Sequence, residues 1–356
     1  MYIYLAVFIM MSFYGKLIFN KGISKNYKII FLTFNLIIFS TIECLREFTI
    51  GEDTINYINW FIDYSKAGWT NSLYHPTRDV EIGYKVLNLL IAEFTQNPRI
   101  LLVIVSILIL GLHLWFLNVN SKNVWLSMVL FVGLNFFTNS MTAWRQYIAM
   151  GIVVWLYPLL LKKEYKKAML VVLTGALFHK TSIICSMILI IMYFFSYTYK
   201  NILRISMLLL LCIPVIEVIV QCILKYLPKY RFYFSQEELG NMAIGKLRWL
   251  FIIIEIAMVI YVYANKRYHS RKIVLLSLMV IFSVYVGILG KYIPHIFRLG
   301  YYFDYFLLLF IPEIIPSTGT NKAVAEITVW GMSLLFYYYY LITNAGGIVP
   351  YHIYLI

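Results

Sequence analysis

Long apolar segments recur along the whole sequence with short polar connections between them, and they constrain the fold more than any other feature. Each segment has roughly 16 to 20 residues, which is close to the length of about 20 that a helix needs to cross a bilayer. A backbone inside lipid must satisfy its own hydrogen bonds, and a helix does so within one segment. The segments lack the alternation of a strand, so the sequence predicts an all-α, polytopic integral membrane protein.

The polar breaks between these segments predict about twelve transmembrane helices in a single domain, 1–356. A further apolar stretch, 86–94, is too short to cross and is predicted to be a re-entrant or interfacial helix. The main segments outside the membrane are predicted to be two outer loops, 46–98 and 225–248. The predicted spans are 2–19, 29–45, 99–117, 124–140, 142–161, 168–180, 182–196, 205–224, 248–264, 273–290, 301–315 and 326–342.

The basic residues indicate how the chain is oriented. Lys and Arg number 30 against 16 acidic residues, and three short connections, 16–28, 162–167 and 265–272, hold twelve of the basic residues with one acid. Such connections stay on the cytoplasmic side, which places 46–98 outside. Because basic residues beside spans are topology signals and no soluble basic domain is present, we do not expect nucleic acid as a partner.

The sequence shows no pattern for a cofactor or a metal ion. Its four cysteines lack paired ligand spacing, and no glycine-rich phosphate loop follows a strand. Glu52 and Asp53 are adjacent, so their side chains point in different directions and suit a shared ion poorly. We therefore predict no metal site, no cofactor and no nucleotide-sugar substrate.

Ionisable side chains at membrane depth are costly unless they pair or face a cavity, so they are candidates for function. Each of these residues alone also fits a topology anchor or a hydrogen-bonded helix partner. Together they suit a lipid-linked pyrophosphate, because Arg binds phosphate bidentately and a carboxylate or His can deprotonate a sugar hydroxyl. Four separate parts of the chain bring such side chains to the predicted outer face: Arg46 with Glu52 and Asp53, Arg145, His179, and Arg298.

Five segments resemble one known family. They are "REFTIGEDTINYINWF" (46–61), "EIGYKVLN" (81–88), "WRQYIAMGI" (144–152), "ALFHKTSII" (176–184) and "FRLGYYFDYF" (297–306). Their order and spacing resemble the EpsG-like family, which is similar to polymerases of the Wzy type that build O-antigen, exopolysaccharide and capsule. The resemblance covers about residues 40 to 310.

The resemblance implies a GT-C-like membrane glycosyltransferase in the bacterial cytoplasmic (inner) membrane, with an active site that faces outward. It would transfer a growing glycan from undecaprenyl pyrophosphate to the sugar end of a lipid-linked repeat unit. Its implied partners are that lipid-linked oligosaccharide, the surrounding membrane lipids, a flippase and a chain-length regulator.

The resemblance also implies the candidate site residues. We predict that Arg145 and Arg298 hold the donor pyrophosphate and that Arg46 orients the acidic loop by pairing with it. The predicted base is Glu52, Asp53 or His179. The catalytic candidates are Glu52, Asp53, His179, Arg145 and Arg298, and the substrate-binding candidates are Arg46, Glu81, Gln146, Tyr301 and Tyr302.

Two other functions fit parts of the sequence. A transporter for lipid-linked oligosaccharides would also use cationic residues in a membrane cavity, but for a transporter we expect charge on both faces and pseudo-symmetric halves, and no repeat is visible. A membrane acyltransferase would centre on His179, which leaves the acidic "GEDT" segment and Arg298 without a role.

Overall fold

The computed structural model describes residues 1–20, 24–74, 80–226, 246–293, 295–316 and 320–354. In this part of the chain the secondary structure is α-helical apart from short 3-10 turns and an isolated antiparallel bridge between Arg46 and Ile353. The predicted all-α class is confirmed. Among the described residues, five helical segments are long and apolar enough to cross a membrane: Tyr2–Phe19, Lys25–Leu45, Pro98–Asn120, Trp144–Leu161 and Arg271–Leu289.

The chain forms two compact units. Unit 1 is Met1–Ser186 with Ile315–Ile356, and unit 2 is Met187–Ile314. The helices of the first half are α1 (Tyr2–Asn20), α2 (Lys25–Leu45), α3 (Thr54–Tyr74), α4 (Ile82–Ala92), α5 (Pro98–Asn120), α6 (Val124–Gly133), α7 (Phe136–Ser140), α8 (Trp144–Val153), α9 (Leu156–Leu161) and α10 (Tyr165–Phe178). They are followed by α11 (Thr181–Phe195), α12 (Lys200–Tyr226), α13 (Lys246–Ala264), α14 (Arg271–Leu289), α15 (Phe297–Asp304), α16 (Leu307–Ile314) and α17 (Thr320–Thr343).

The predicted spans are helical over most of their length wherever the structure describes them, but several are interrupted. The span 124–140 breaks into α6 and α7 at Asn135, whose φ of 66° is left-handed. The span 142–161 divides into α8 and α9, and 301–315 divides into α15 and α16. The breaks leave 124–140 and 301–315 without one helix of spanning length, whereas Trp144–Leu161 still meets the criterion across its break. Among the described residues, α10 and α11 in the predicted spans 168–180 and 182–196 have only 14 and 15 residues, so they are also too short to meet it.

The predicted outer loop 46–98 contains two helices, α3 and α4. Hydropathy alone misses α3 because Asn, Asp, Tyr and Trp lower its mean value, although its buried residues Tyr57, Phe61 and Tyr64 follow the helical period. The short helix predicted at 86–94 is confirmed as α4, which begins at Ile82. Residues 227–245 of the other predicted loop, 225–248, lie outside the described residues.

Unit 1 has two chemically different ends. Helix α5 begins beside Arg46, since Arg99 Nη1 donates to the Arg46 carbonyl at 2.5 Å, and it ends just before Lys122. At about 1.5 Å per residue such a helix is roughly 34 Å long, close to the thickness of a bilayer core. Helix α2 runs back from its lysine-bearing first turn to Arg46.

The second basic connection of unit 1 lies at the same end as the first. Helices α8 and α9 lead away from Arg145 to the lysines of 162–167, and α10 returns from there to His179. Arg46 and Arg145 share one end, because Trp144 lies beside the Arg46 guanidinium. The described residues of the connection 16–28 and the connection 162–167 therefore both lie opposite the end that holds Arg46, Arg145 and His179. We call these the basic end and the polar end of unit 1.

Candidate functional site

Three residues of the predicted set meet at the polar end of unit 1, and we call them the Glu81 cluster: Glu81, Arg145 and His179. One carboxylate oxygen of Glu81, Oε2, accepts a hydrogen bond from Arg145 Nη1. The other, Oε1, lies 3.3 Å from His179 Nδ1 and accepts from the backbone N–H of Lys180 at 3.2 Å. One carboxylate thus binds a guanidinium and lies within 3.3 Å of an imidazole nitrogen.

Close helix packing brings these side chains together. Glu81 caps the start of α4, Arg145 lies in the first turn of α8, and His179 follows the last residue of α10. Gly83 lets α4 approach α10, because a Cβ there would lie 2.7 Å from the Leu177 carbonyl oxygen. Gly175 does the same between α10 and α8, where a Cβ would lie 2.5 Å from a methyl of Val153.

The cluster is largely buried, with Glu81 9% exposed and the side chains of Arg145 and His179 19% and 15% exposed. Burial alone would raise the pKa of Glu81, but hydrogen bonding with His179 and the charge of Arg145 outweigh it and lower the pKa to about 2. Glu81 is therefore ionised at neutral pH. A carboxylate with so low a pKa is a weak base, so Glu81 suits orientation of its two partners rather than proton transfer.

Three aromatic residues border the cluster, and the sequence analysis did not select them: Tyr57, Trp60 and Trp144. The Arg145 guanidinium lies 5.0 Å from the Trp60 ring and interacts with the Tyr57 hydroxyl. Tyr57 stacks on Trp144 with ring centroids 4.8 Å apart. The i, i+3 spacing of Tyr57 and Trp60 would have marked a shared helix face if residues 54–61 had been recognised as a helix.

Arg46 lies at the same end but is completely buried. Its Nη2 donates to the Met141 carbonyl at 2.9 Å, and its Cζ lies 5.9 Å from the Trp144 ring. Nε and Nη1 have no hydrogen-bond partner among the residues that the structure describes. Glu43, one turn earlier and also fully buried, accepts from the Ser140 hydroxyl at 2.6 Å. Substrate binding by Arg46 stays a prediction, and its burial favours a positioning role.

The segment "GEDT" packs on the same carbonyl that Arg46 uses. Thr54 Oγ1 donates to the Met141 carbonyl at 3.1 Å, and a Cβ added at Gly51, whose φ is 91°, would lie only 2.7 Å from that oxygen. Backbone N–H groups of Gly51 and Glu52 donate to the carbonyls of Gly347 and Gly346. Arg46 and Thr54 thus meet at the Met141 carbonyl, and the pairing of Arg46 with an acid of the loop stays a prediction. Glu52 is exposed and Asp53 half-buried.

The remaining predicted residues have different settings. Gln146 is buried directly after Arg145. Arg298 is exposed, Tyr301 half-buried and Tyr302 buried, all on α15 of unit 2. No group of three or more His, Cys, Asp or Glu side chains in the described part of the chain is arranged to hold a metal ion.

Unit 2 has a polar cluster of its own that the sequence analysis missed. Arg248 on α13 pairs with Asp304 at the end of α15, with 3.3 Å between Nη2 and Oδ1. The fully buried Glu255 accepts from the Ser283 hydroxyl at 3.1 Å. These contacts join α13, α14 and α15, so they fix the helix that carries Arg298.

The apolar helices and the Glu81 cluster define a class: a multi-pass membrane protein with a buried carboxylate, guanidinium and imidazole at one end of a helical bundle. The family model of the EpsG family matches residues 29–353, so the chain belongs to the EpsG family. This membership confirms the resemblance and indicates a membrane protein of the polysaccharide polymerase type. No curated protein and no solved structure matches the chain.

The close approach at Gly83 leads to a prediction about stability. We expect Gly83→Ala to lower the free energy of unfolding by about 1–3 kcal/mol, because the added methyl must push α4 away from Leu177. Thermal unfolding of the purified protein in detergent measures this. Gly111→Ala is the matched control, since Gly111 is helical and faces open space, where Ala is favoured by about 0.5–1 kcal/mol. Equal effects of the two substitutions would contradict the packing role of Gly83.

Proposed function

We propose that this protein is a polysaccharide polymerase that transfers a growing glycan from undecaprenyl pyrophosphate to a sugar hydroxyl of a lipid-linked repeat unit. The observation that carries the proposal is the Glu81 cluster in a chain of the EpsG family. The cluster combines a cation for the leaving pyrophosphate with an imidazole for the attacking hydroxyl. Both lie within reach of the same carboxylate.

The guanidinium of Arg145 is the proposed ligand for the pyrophosphate. It uses Nη1 for Glu81, while its Nε has no hydrogen-bond partner among the described residues. Arg has five N–H donors, so the guanidinium retains donors for phosphate oxygens. As the bond between the sugar anomeric carbon and the pyrophosphate breaks, negative charge grows on the leaving group, and a fixed cation there stabilises the transition state.

His179 is the proposed base. His179 Nδ1 lies 3.3 Å from Glu81 Oε1, and the negative charge of the carboxylate favours a proton on this nitrogen, which leaves Nε2 as the acceptor. The acceptor hydroxyl gives its proton to Nε2 while its oxygen forms the new glycosidic bond. Undecaprenyl pyrophosphate leaves with the electron pair of the broken bond, so charge and protons balance. Glu52 and Asp53 then serve to bind acceptor hydroxyls rather than to deprotonate them.

The distribution of charge supports a reaction on the outer face. Two basic connections of unit 1, 16–28 and 162–167, lie opposite the Glu81 cluster. Basic connections mark the cytoplasmic side, so the polar end is proposed to face outward in the bacterial inner membrane. Lipid-linked repeat units delivered by a flippase, with a chain-length regulator nearby, would be accessible there without any nucleotide sugar.

The test is an assay of the purified protein in proteoliposomes that contain the lipid-linked repeat unit, with no nucleotide and with a chelator of divalent metal. We expect a ladder of longer lipid-linked glycans, read by gel or mass spectrometry. His179→Gln is the matched variant, because its amide can keep a hydrogen bond but cannot act as a base. Repeat units that cross the vesicle membrane without any ladder would contradict polymerisation and support a transporter instead.

A further inference from the structure

A cavity lined by four lysines lies at the basic end of unit 1, away from the Glu81 cluster. It has a volume of about 70 Å³, and we call it the four-lysine pocket after Lys16, Lys28, Lys122 and Lys322. A single water molecule needs about 10–15 Å³ of such space, so the cavity has room for a phosphate group or several waters. Asn123, Trp125 and Glu326 complete the polar part of its wall.

Glu326 organises one side of the pocket. It is 4% exposed, and its Oε2 lies 2.5 Å from Lys16 Nζ while its Oε1 accepts from Asn123 Nδ2 at 3.2 Å. Lys322 Nζ lies 3.7 Å from Oε1. Lys16 also lies over the Trp125 ring, 4.7 Å from its centroid. Glu326 thus contacts two of the four lysines, and because the lining holds four lysines and one carboxylate it carries an excess of positive charge.

The helix ends add to this charge. Lys28 lies in the first turn of α2, Lys122 just before the N-cap of α6, and Lys322 in the first turn of α17. The N-terminus of a helix carries partial positive charge and favours anions, so a lysine there is electrostatically unfavourable. Three helices of unit 1 share this unfavourable arrangement around one cavity. A bound anion would relieve it for all three at once.

We propose that the four-lysine pocket binds a phosphate group and that its source is the headgroup of an anionic phospholipid of the surrounding leaflet. The pocket lies at the end of helices that match the thickness of a bilayer core, where headgroups lie. Phe19 and Trp125 give it an apolar side suited to the glycerol and upper acyl region. Basic pockets between helices on the cytoplasmic side are suited to such headgroups.

The experiment uses the full chain in detergent and measures lipid retention by native mass spectrometry. We expect phosphatidylglycerol to bind at least tenfold more tightly than phosphatidylcholine. The double variant Lys28→Gln with Lys122→Gln should lose that preference, and it leaves in place the contacts of Lys16 and Lys322 with Glu326. Lys28→Arg with Lys122→Arg should keep it, since the charge is retained. The matched control is Lys162→Gln with Lys166→Gln, two exposed lysines of the other basic connection.

Each outcome decides the proposal. Loss of the preference in the pocket variant and its retention in the control support a headgroup site. Equal loss in both double variants would assign the preference to net charge and overturn the proposal. Thermal stabilisation by inorganic phosphate without selective retention of phosphatidylglycerol would assign the pocket to a soluble phosphate and overturn its lipid source. Lipid retention is measured without polymer synthesis, so the lipid proposal can fail while the proposed function holds, and the reverse.

Discussion

Arg145→Ala is expected to abolish long-chain polymer and to destabilise the protein at the same time. Removal of the cation that receives the pyrophosphate charge should lower turnover by about 10²–10³-fold. The variant also leaves the largely buried Glu81 carboxylate without its guanidinium partner. Breaking a fully buried pair costs about 3–5 kcal/mol, and because Arg145 is partly exposed we expect about 2–3 kcal/mol here. Polymer length on gels and thermal unfolding measure the two effects.

Two further variants separate the chemical role of Arg145 from its structural role. Arg145→Lys keeps the charge beside Glu81 but loses the planar fork that matches phosphate, so stability should be largely retained while turnover falls about 100-fold. Arg145→Gln combined with Glu81→Gln removes both charges, so stability should recover relative to Arg145→Ala, whereas polymer should remain absent. Normal polymer lengths in either Arg145→Ala or the double variant would refute the assignment of Arg145 to the pyrophosphate.

The helices could be predicted from hydropathy where the chain is uniformly apolar. Helices α1 and α5 match their predicted spans to within a few residues. Hydropathy fails for α3, because Asn56, Asn59 and Asp63 make the segment polar on average although one face of it is buried. Hydropathy also predicts one continuous span at 124–140, where the structure has two helices separated at Asn135. A single residue with left-handed φ interrupts the helix but does not change the mean hydropathy.

The candidate site could be predicted only in part. Loop charges place Arg145 and His179 on a common face, and the structure brings them to one carboxylate. The sequence could not show that this carboxylate is Glu81, because the contact depends on how closely α4 packs against α10 at Gly83 and Leu177. Gly83 and Leu177 are far apart in the sequence, so no local sequence pattern predicts their contact. The sequence "EIGYK" shows that a carboxylate and a glycine are present, but not which side chains they contact.

The polar end of unit 1 explains the charge of the "REFTIGEDT" segment. Its Arg46 and Thr54 both donate to the carbonyl of Met141, a residue that shortly precedes Arg145 along the chain. Trp144 lies beside the Arg46 guanidinium and stacks on the Tyr57 ring. The segment therefore holds the start of α8 in place from one side, while Glu81 holds Arg145 from the other. The burial of Arg46 favours a positioning role, and ligand binding by the exposed Glu52 stays a prediction.

Arg298→Ala is expected to abolish long-chain polymer without any loss of stability, in contrast to Arg145→Ala. Arg298 is exposed in the first turn of α15, so we expect its removal to change the stability little. If its guanidinium binds the donor pyrophosphate as predicted from the sequence, turnover should fall at least about 100-fold, by loss of a charge-assisted bidentate contact. The free energy of unfolding should remain within about 0.5 kcal/mol of that of the unchanged protein, as for other surface substitutions.

The matched control for Arg298 lies at the other end of the same helix. Asp304→Asn weakens the pair with Arg248, which is part of the cluster that fixes α15. We expect Asp304→Asn to lower the unfolding temperature, whereas Arg298→Ala lowers only turnover. A drop in stability for Arg298→Ala as large as that for Asp304→Asn would show that Arg298 supports the fold of unit 2. Normal polymer in Arg298→Ala would remove it from the site, and Arg145 would then be the proposed pyrophosphate ligand on its own.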